Sequence, residues 1–307
     1  MNPILPFTAL ARVLRRTGFV LLLALSAGSC TTNDVFPDTA TDDATLIRFD
    51  IAPRPGFTDR SSTRITQTTD AAQWEDGDIL WIRAEFYDNA NILKTTYITA
   101  LKRDGGHWRS LTYEEEAAHI TPCTPLRDYY KNEIRWPKSL YGTTGTYCRI
   151  YARYLGQQYP NASGKIAVTP DIDVINIPNN YSTSHPGKVV KLRFFQPLAR
   201  LRITKACLLQ FKSLNSEFRF PEFSENRTSY VDNIFHVPSD GEDYFLDSED
   251  KNSQTIRINN GQEIQLLPDA NGEYAGMSYT IDPDALLPSG PCLLYTSPSP
   301  RDRQKSR

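Results

Sequence analysis

Along this chain apolar side chains return at every second position, in one short segment after another. The clearest case is Ile79 to Tyr87, where Ile79 and Trp81 fall on one face of an extended segment and Leu80 and Ile82 on the other. A polar turn, Trp74-Glu75-Asp76-Gly77-Asp78, feeds directly into it. Gly accepts positive φ there, and Asp side chains can bond nearby backbone amides, which is what a tight turn needs. The same alternation predicts strands at Leu46–Ile51, Thr95–Leu101, Tyr147–Tyr154, Lys165–Ile177 (interrupted at Pro170), Leu208–Phe211, Thr255–Ile258, Glu263–Leu267 and Ser278–Ile281. Turn residues separate them, as at Asp88-Asn89-Ala90-Asn91 and Asp104-Gly105-Gly106. The run Glu114 to His119 offers one helical turn, and the acidic stretch Ser239 to Lys251 reads as a solvated loop.

Composition agrees with an all-β chain: 16 Tyr, 14 Phe and 21 Pro stand against 2 Met. At 307 residues two β domains of medium size are expected, with a boundary near Thr204. Lys and Arg number 34 and Asp and Glu 36, so no basic footprint for nucleic acid exists. Of five cysteines, Cys30 ends an apolar leader and Cys292 lies in a tail that does not match the rest. Cys123, Cys148 and Cys207 remain, without a C-x-x-C pair, so a structural zinc site is not expected. They allow one disulfide, with Cys123 and Cys148 the candidate pair, or three reduced thiols. Asp171 and Asp173 could approach a Ca²⁺ ion, but nothing nearby supplies the six to eight oxygens it takes, and a solvent-exposed role is expected instead.

Arg12, Arg15 and Arg16 precede the apolar run Phe19 to Leu25, and small residues follow up to Cys30. That is the layout of a secretory signal, and the run is too short for a membrane-spanning helix. Ala27-Gly28-Ser29-Cys30 resembles the bacterial lipobox, which implies acylation of Cys30 and anchoring on a membrane. Residues 1–29 are then signal peptide and 30–44 a polar, lipidated tether. Within the tether an acidic stretch resembles an outer-surface export signal, and Asp38-Thr39-Ala40 resembles a short O-glycosylation motif. The tail from Cys292 onward resembles the conceptual translation of a sequencing adapter. Residues 292–307 are therefore expected to be foreign to the protein, whose gene is expected to continue past Pro291.

Three spaced blocks carry a family resemblance. Trp74, Gly77 and Asp78 with the strand after them resemble the W-x-x-G-D-x-I turn of the fimbrillin (Mfa-like) family, lipid-anchored surface proteins related to type V pilus subunits. Trp136-Pro137 followed by Tyr147 to Tyr154 is similar to that family's W-P and Y-x-A-Y strands, with Arg153 intruding. Val189 to Ile203 is similar to a third stretch, with Gln196 or Pro197 where a His is usual, a departure that weakens any special role for that position. The resemblance implies two tandem transthyretin-like, Greek-key β-sandwich domains, 45–204 and 205–291, the second truncated. It also implies an Arg-rich loop in which proteolysis at Arg54, Arg60 or Arg64 would free the first strand for replacement by a strand of another subunit. In anchor members of the family such a loop stays uncut.

The expected function is thus a fimbrial subunit or fimbrillin-like adhesin on the outer membrane surface, joined to other subunits by β-strand addition. The alternative is a non-polymerising anchor or accessory lipoprotein that binds host or bacterial surface glycans or a partner protein. No cofactor is expected. An enzyme is not expected either: no G-x-S-x-G, H-E-x-x-H or P-loop occurs, and the four His residues are scattered.

Overall fold

The computed structural model describes residues 44–59, 69–70, 73–177, 181–184, 189–248, 254–259 and 261–284. Its strands are β1 (Arg48–Ile51), β2 (Phe57–Asp59), β3 (Thr69–Asp70), β4 (Ile79–Tyr87), β5 (Leu93–Asp104), β6 (His107–Ser110), β7 (Tyr147–Leu155), β8 (Lys165–Val168) and β9 (Val174–Asn176). They continue as β10 (Tyr181–Thr183), β11 (Val189–Leu192), β12 (Leu198–Ile203), β13 (Cys207–Arg219), β14 (Ser224–Val237), β15 (Glu242–Asp247), β16 (Thr255–Ile258), β17 (Gln262–Gln265) and β18 (Met277–Ile281). The fold is all-β, as the alternation predicts.

One antiparallel sheet runs β10-β7-β4-β5-β6, with β9 also paired to β7. Strand β4 lies at its centre, bonded to β5 and β7 along its length. Both its faces are covered, which is why Ile79, Leu80, Trp81, Ile82, Ala84 and Phe86 are all fully buried. Over the Leu80–Phe86 face Trp136 meets the Phe86 ring edge-on at 5.4 Å. A separate two-stranded sheet pairs β1 with β11 in parallel. Ile79 and Trp81, on the other face, are packed with Leu111, Ile120, Cys123 and Leu126 from the short helical insert and with Phe218, Phe220 and Phe223 from the β13–β14 hairpin.

The helical insert is a three-residue α turn, Tyr113–Glu115, capped by Thr112, then a π-helical turn, Glu116–Ile120. His119 stacks on Tyr159 there, with centroids 3.7 Å apart.

Two further sheets, β15-β12-β18-β2-β3 and β14-β13-β16-β17, face each other over a second core. Leu201, Tyr244 and Tyr279 from the first meet Leu209, Phe211 and Ile256 from the second. Hydrogen bonding crosses Thr204: β12, before it, pairs with β15 and β18, after it. β8 pairs with β13.

Two expectations need correction. The stretch Ser239–Lys251 contains a strand, β15, because Tyr244 and Leu246, two positions apart, fall on one face and are both buried. The candidate disulfide is absent: Cys123 and Cys148 are free, buried thiols. Cys148 is paired across the strands with Phe86, on the Leu80–Phe86 face of the sheet, while Cys123 packs with Ile79 and Trp81 on the opposite face. A disulfide requires Cα atoms within about 7 Å, which a sheet between the two side chains forbids.

Candidate functional site: the first-strand slot and its polar latch

Strand β1 pairs along its whole length with β11, and the Ala52 amide just after it donates to Leu192 O at 2.9 Å. Phe49 lies opposite Val190 and Ile51 opposite Leu192 in the parallel ladder. On the other side the Ile47 amide donates to Ile134 O at 2.9 Å, and the Trp136 amide to Thr45 O at 2.8 Å. Its side chains are buried as well: Ile47, Phe49 and Ile51 are 4, 6 and 8 % exposed. Burying each stabilises the fold by about 1.5–3 kcal/mol before the cost of ordering the segment. Val190, Leu192, Ile134 and Trp136, equally buried, bond or pair with this segment. An extended chain with apolar residues at every second position is what this slot accepts.

Immediately after β1 the chain enters a polar cluster. Arg54 sits between Pro53 and Pro55, whose rings fix φ and keep the segment extended. Its Nη2 donates to Asp173 Oδ2 at 2.8 Å, and its Nη1 lies 3.9 Å from Asp78 Oδ2. The guanidinium is 5.0 Å from the Tyr154 ring centroid and 5.8 Å from that of Trp74. Trp74 donates its indole N–H to Ala52 O at 2.9 Å, so it also ties down the end of β1. Its ring is met edge-on by Trp108, Tyr154 and Phe194.

Asp78 is almost wholly buried and serves two partners. Oδ2 accepts from the Glu75 amide at 2.8 Å, closing the turn, and Oδ1 accepts from the Tyr154 hydroxyl at 2.7 Å. Gly77 makes that turn with φ of +96°, and its amide donates to Arg103 O. Asp173 completes the cluster by accepting from Gln196 Nε2 at 2.6 Å.

Burial is the largest influence on the Asp173 carboxyl and pushes its pKa up, with Arg54 and Gln196 pulling back only in part. Burial also lifts the Tyr154 phenol, opposed by Arg54 and helped by Asp78. For Arg54, burial alone would lower the pKa, but Tyr154, Asp173 and Asp78 together outweigh it and hold the guanidinium above its ordinary value. The cluster therefore keeps a buried cation in place with two carboxylates, one of which burial disfavours as an anion.

Of the residues singled out in the sequence, Trp74, Gly77 and Asp78 meet in this cluster. Trp136 is buried against Phe86, and Pro137 opens the next turn by accepting from the Leu140 amide. Arg54, a candidate cut site, is held in the cluster with its side chain 15 % exposed. Arg60, Arg64, Cys30, the tether and the tail lie outside the described residues.

Three members of the cluster lie where the sequence does not signal a polar site. Asp173, expected in solvent, is buried on the same face as Ile175 and Ile177, a placement the period-two alternation carries. Gln196, read as a weakening departure, is the buried amide that bonds Asp173. Tyr154 is 5 % exposed, on the sheet face opposite to Tyr151, which is half-buried and packs with the Ile79 and Trp81 core. Among the described residues no group of three His, Cys, Asp or Glu side chains could hold a metal, and no helix is long and apolar enough to cross a membrane.

No family model matches the chain, and no curated protein matches it. Among solved structures it is similar to three that are each described as a putative cell adhesion protein. The one from Bacteroides uniformis has a TM-score of 0.40 at 12 % identity, over 75 % of this chain and 91 % of that one. The one from Bacteroides thetaiotaomicron has 0.37 at 14 %, over 82 % and 100 %, and the one from Bacteroides fragilis 0.35 at 13 %, over 77 % and 92 %.

Proposed function

We propose that this protein is a surface-anchored fimbrial subunit or fimbrillin-like adhesin whose first strand occupies a slot made for strand exchange. The observation that carries the reading is β1 itself: four residues, paired in parallel to one neighbour, with Ile47, Phe49 and Ile51 supplying the burial. A strand that pairs by its backbone and buries alternate side chains in a slot can be replaced by a chain that offers the same pairing and fills the same pockets. Lipidation at Cys30 would place it on the outer membrane, and other subunits would be the partners.

The polar latch favours a second reading, a non-polymerising anchor or accessory lipoprotein that keeps its strand. Arg54 binds the segment to Asp173 and Asp78, and three residues later Phe57 is buried against Phe245 and under the Arg200 guanidinium. Removing the segment would break both attachments.

Treatment with an Arg-specific protease separates the two. Under the first reading the chain is cut at Arg60 or Arg64, the N-terminal peptide leaves, and light scattering after size exclusion reports species larger than a monomer. A folded chain that stays intact and monomeric would refute strand exchange and leave the anchor reading.

A further inference from the structure

A cleft of about 570 Å³, lined by none of the β1-slot residues, lies between the β8–β9 region, the β11–β12 connection and the second pair of sheets. Its size is within the range of small-ligand sites, roughly 300–1,000 Å³. Strands build its walls, so their positions are fixed. Phe195 is pinned by two backbone bonds to Asn176, and the β8–β9 connection is bonded to β15 through the Phe245 amide and Pro170 O at 2.5 Å. The Ser248 hydroxyl donates to Pro197 O at 2.5 Å.

The lining combines an exposed aromatic ring with a paired set of charged groups. Phe195 keeps 39 % of its surface in solvent. Across the cleft, Arg227 Nη1 donates to Asp247 Oδ2 at 3.1 Å, and Nη2 lies 3.8 Å from Glu225 Oε2. Arg227 remains 47 % exposed, so N–H donors and carboxylate lone pairs both face the opening. Glu273 is the remaining charged residue of the lining, which therefore carries three carboxylates against one guanidinium.

We propose that this cleft binds a neutral saccharide. Sugar hydroxyls are donors and acceptors at once and match a carboxylate–guanidinium pair that offers both. The apolar face of a pyranose ring packs on an aromatic ring such as Phe195. An anionic ligand would meet a net negative lining. A cation would use the carboxylates but be opposed by Arg227. The inference stands on the cleft and is independent of strand exchange, because none of the residues it uses belongs to the β1 slot or the latch.

The test is saturation-transfer NMR and calorimetry on the intact chain. The probes are maltotriose, xylotriose, mannotriose and triacetylchitotriose, with spermidine and sialyllactose as charged comparisons. The expected result is transfer to the ring protons of at least one neutral trisaccharide, with affinity reduced roughly tenfold or more in Phe195→Ala and in Arg227→Gln. The thermal midpoint of both variants should stay within a few degrees of the parent. A third variant, Asp247→Asn, should weaken the same sugar while preserving the cleft's shape. The proposal is overturned if none of the four neutral sugars binds, if binding is unchanged in the variants, or if spermidine or sialyllactose binds more tightly than every neutral sugar.

Discussion

Replacing Arg54 with Met keeps most of the side chain's length and removes its charge. Asp173, only 5 % exposed, then loses a 2.8 Å charged hydrogen bond and retains Gln196, while Asp78 keeps Glu75 and Tyr154. Taking one partner from a buried ion pair leaves the other charge uncompensated and costs about 3–5 kcal/mol. The expected loss for Arg54→Met at pH 7 is in that range, read by urea unfolding with intrinsic tryptophan fluorescence as the probe. The sign of the pH dependence follows from Asp173. Its folded pKa lies above the ordinary value, so its ionisation already costs stability as pH rises through that pKa. Without Arg54 the folded pKa rises further. The deficit of the variant should therefore shrink as pH falls from 7 toward 5, and Asp173→Asn added to Arg54→Met should recover part of the loss. A loss under about 1 kcal/mol at pH 7, or a deficit that grows toward pH 5, would refute the assignment of the cluster as a buried charged latch.

Tyr154→Phe removes the hydroxyl that donates to buried Asp78 and should destabilise by about 1–3 kcal/mol in the same unfolding assay. Gly77→Ala should cost about 1–2 kcal/mol, mainly because the turn holds φ at +96°; the nearest group to an added Cβ is the Gln157 side-chain tip at 2.9 Å, which can swing away. Burial raises the thiol pKa of both Cys123 and Cys148, so Ellman's reagent should modify neither until the chain is unfolded, and non-reducing peptide mapping should find no Cys123–Cys148 bond.

The sheet order could not be read from sequence, but most of the strands could, because alternation is a local property. Ile79–Tyr87 and Tyr147–Leu155 appear where the pattern of side chains predicts them. The long hairpin of β13 and β14 was legible only at its start, Leu208–Phe211. Polar residues such as Asn226, Arg227, Asp232 and Asn233 interrupt the alternation along β14, which among the described residues is an edge strand paired with β13. At the site, Trp74, Gly77 and Asp78 were found through a turn signature spanning five residues. Their partners Arg54, Tyr154, Asp173 and Gln196 are separated from them by 20 to 122 residues of chain, and only folding brings those groups together. Arg54 illustrates the limit: in a Pro-rich segment an Arg reads as exposed, and the carboxylate that buries it is read separately, as a solvated acid.

Strand exchange itself can be measured on a chain carrying a specific protease site between Arg60 and Arg64. After cleavage, a fluorescein-labelled peptide with the sequence of residues 45–59 is added, and anisotropy follows its uptake. The account predicts uptake by the cleaved chain, little by the uncleaved chain, and none when the peptide carries Phe49→Asp, since that side chain fills the slot opposite Val190. A cleaved chain that stays folded and takes up no peptide, or uptake that is indifferent to cleavage and to Phe49, would contradict it.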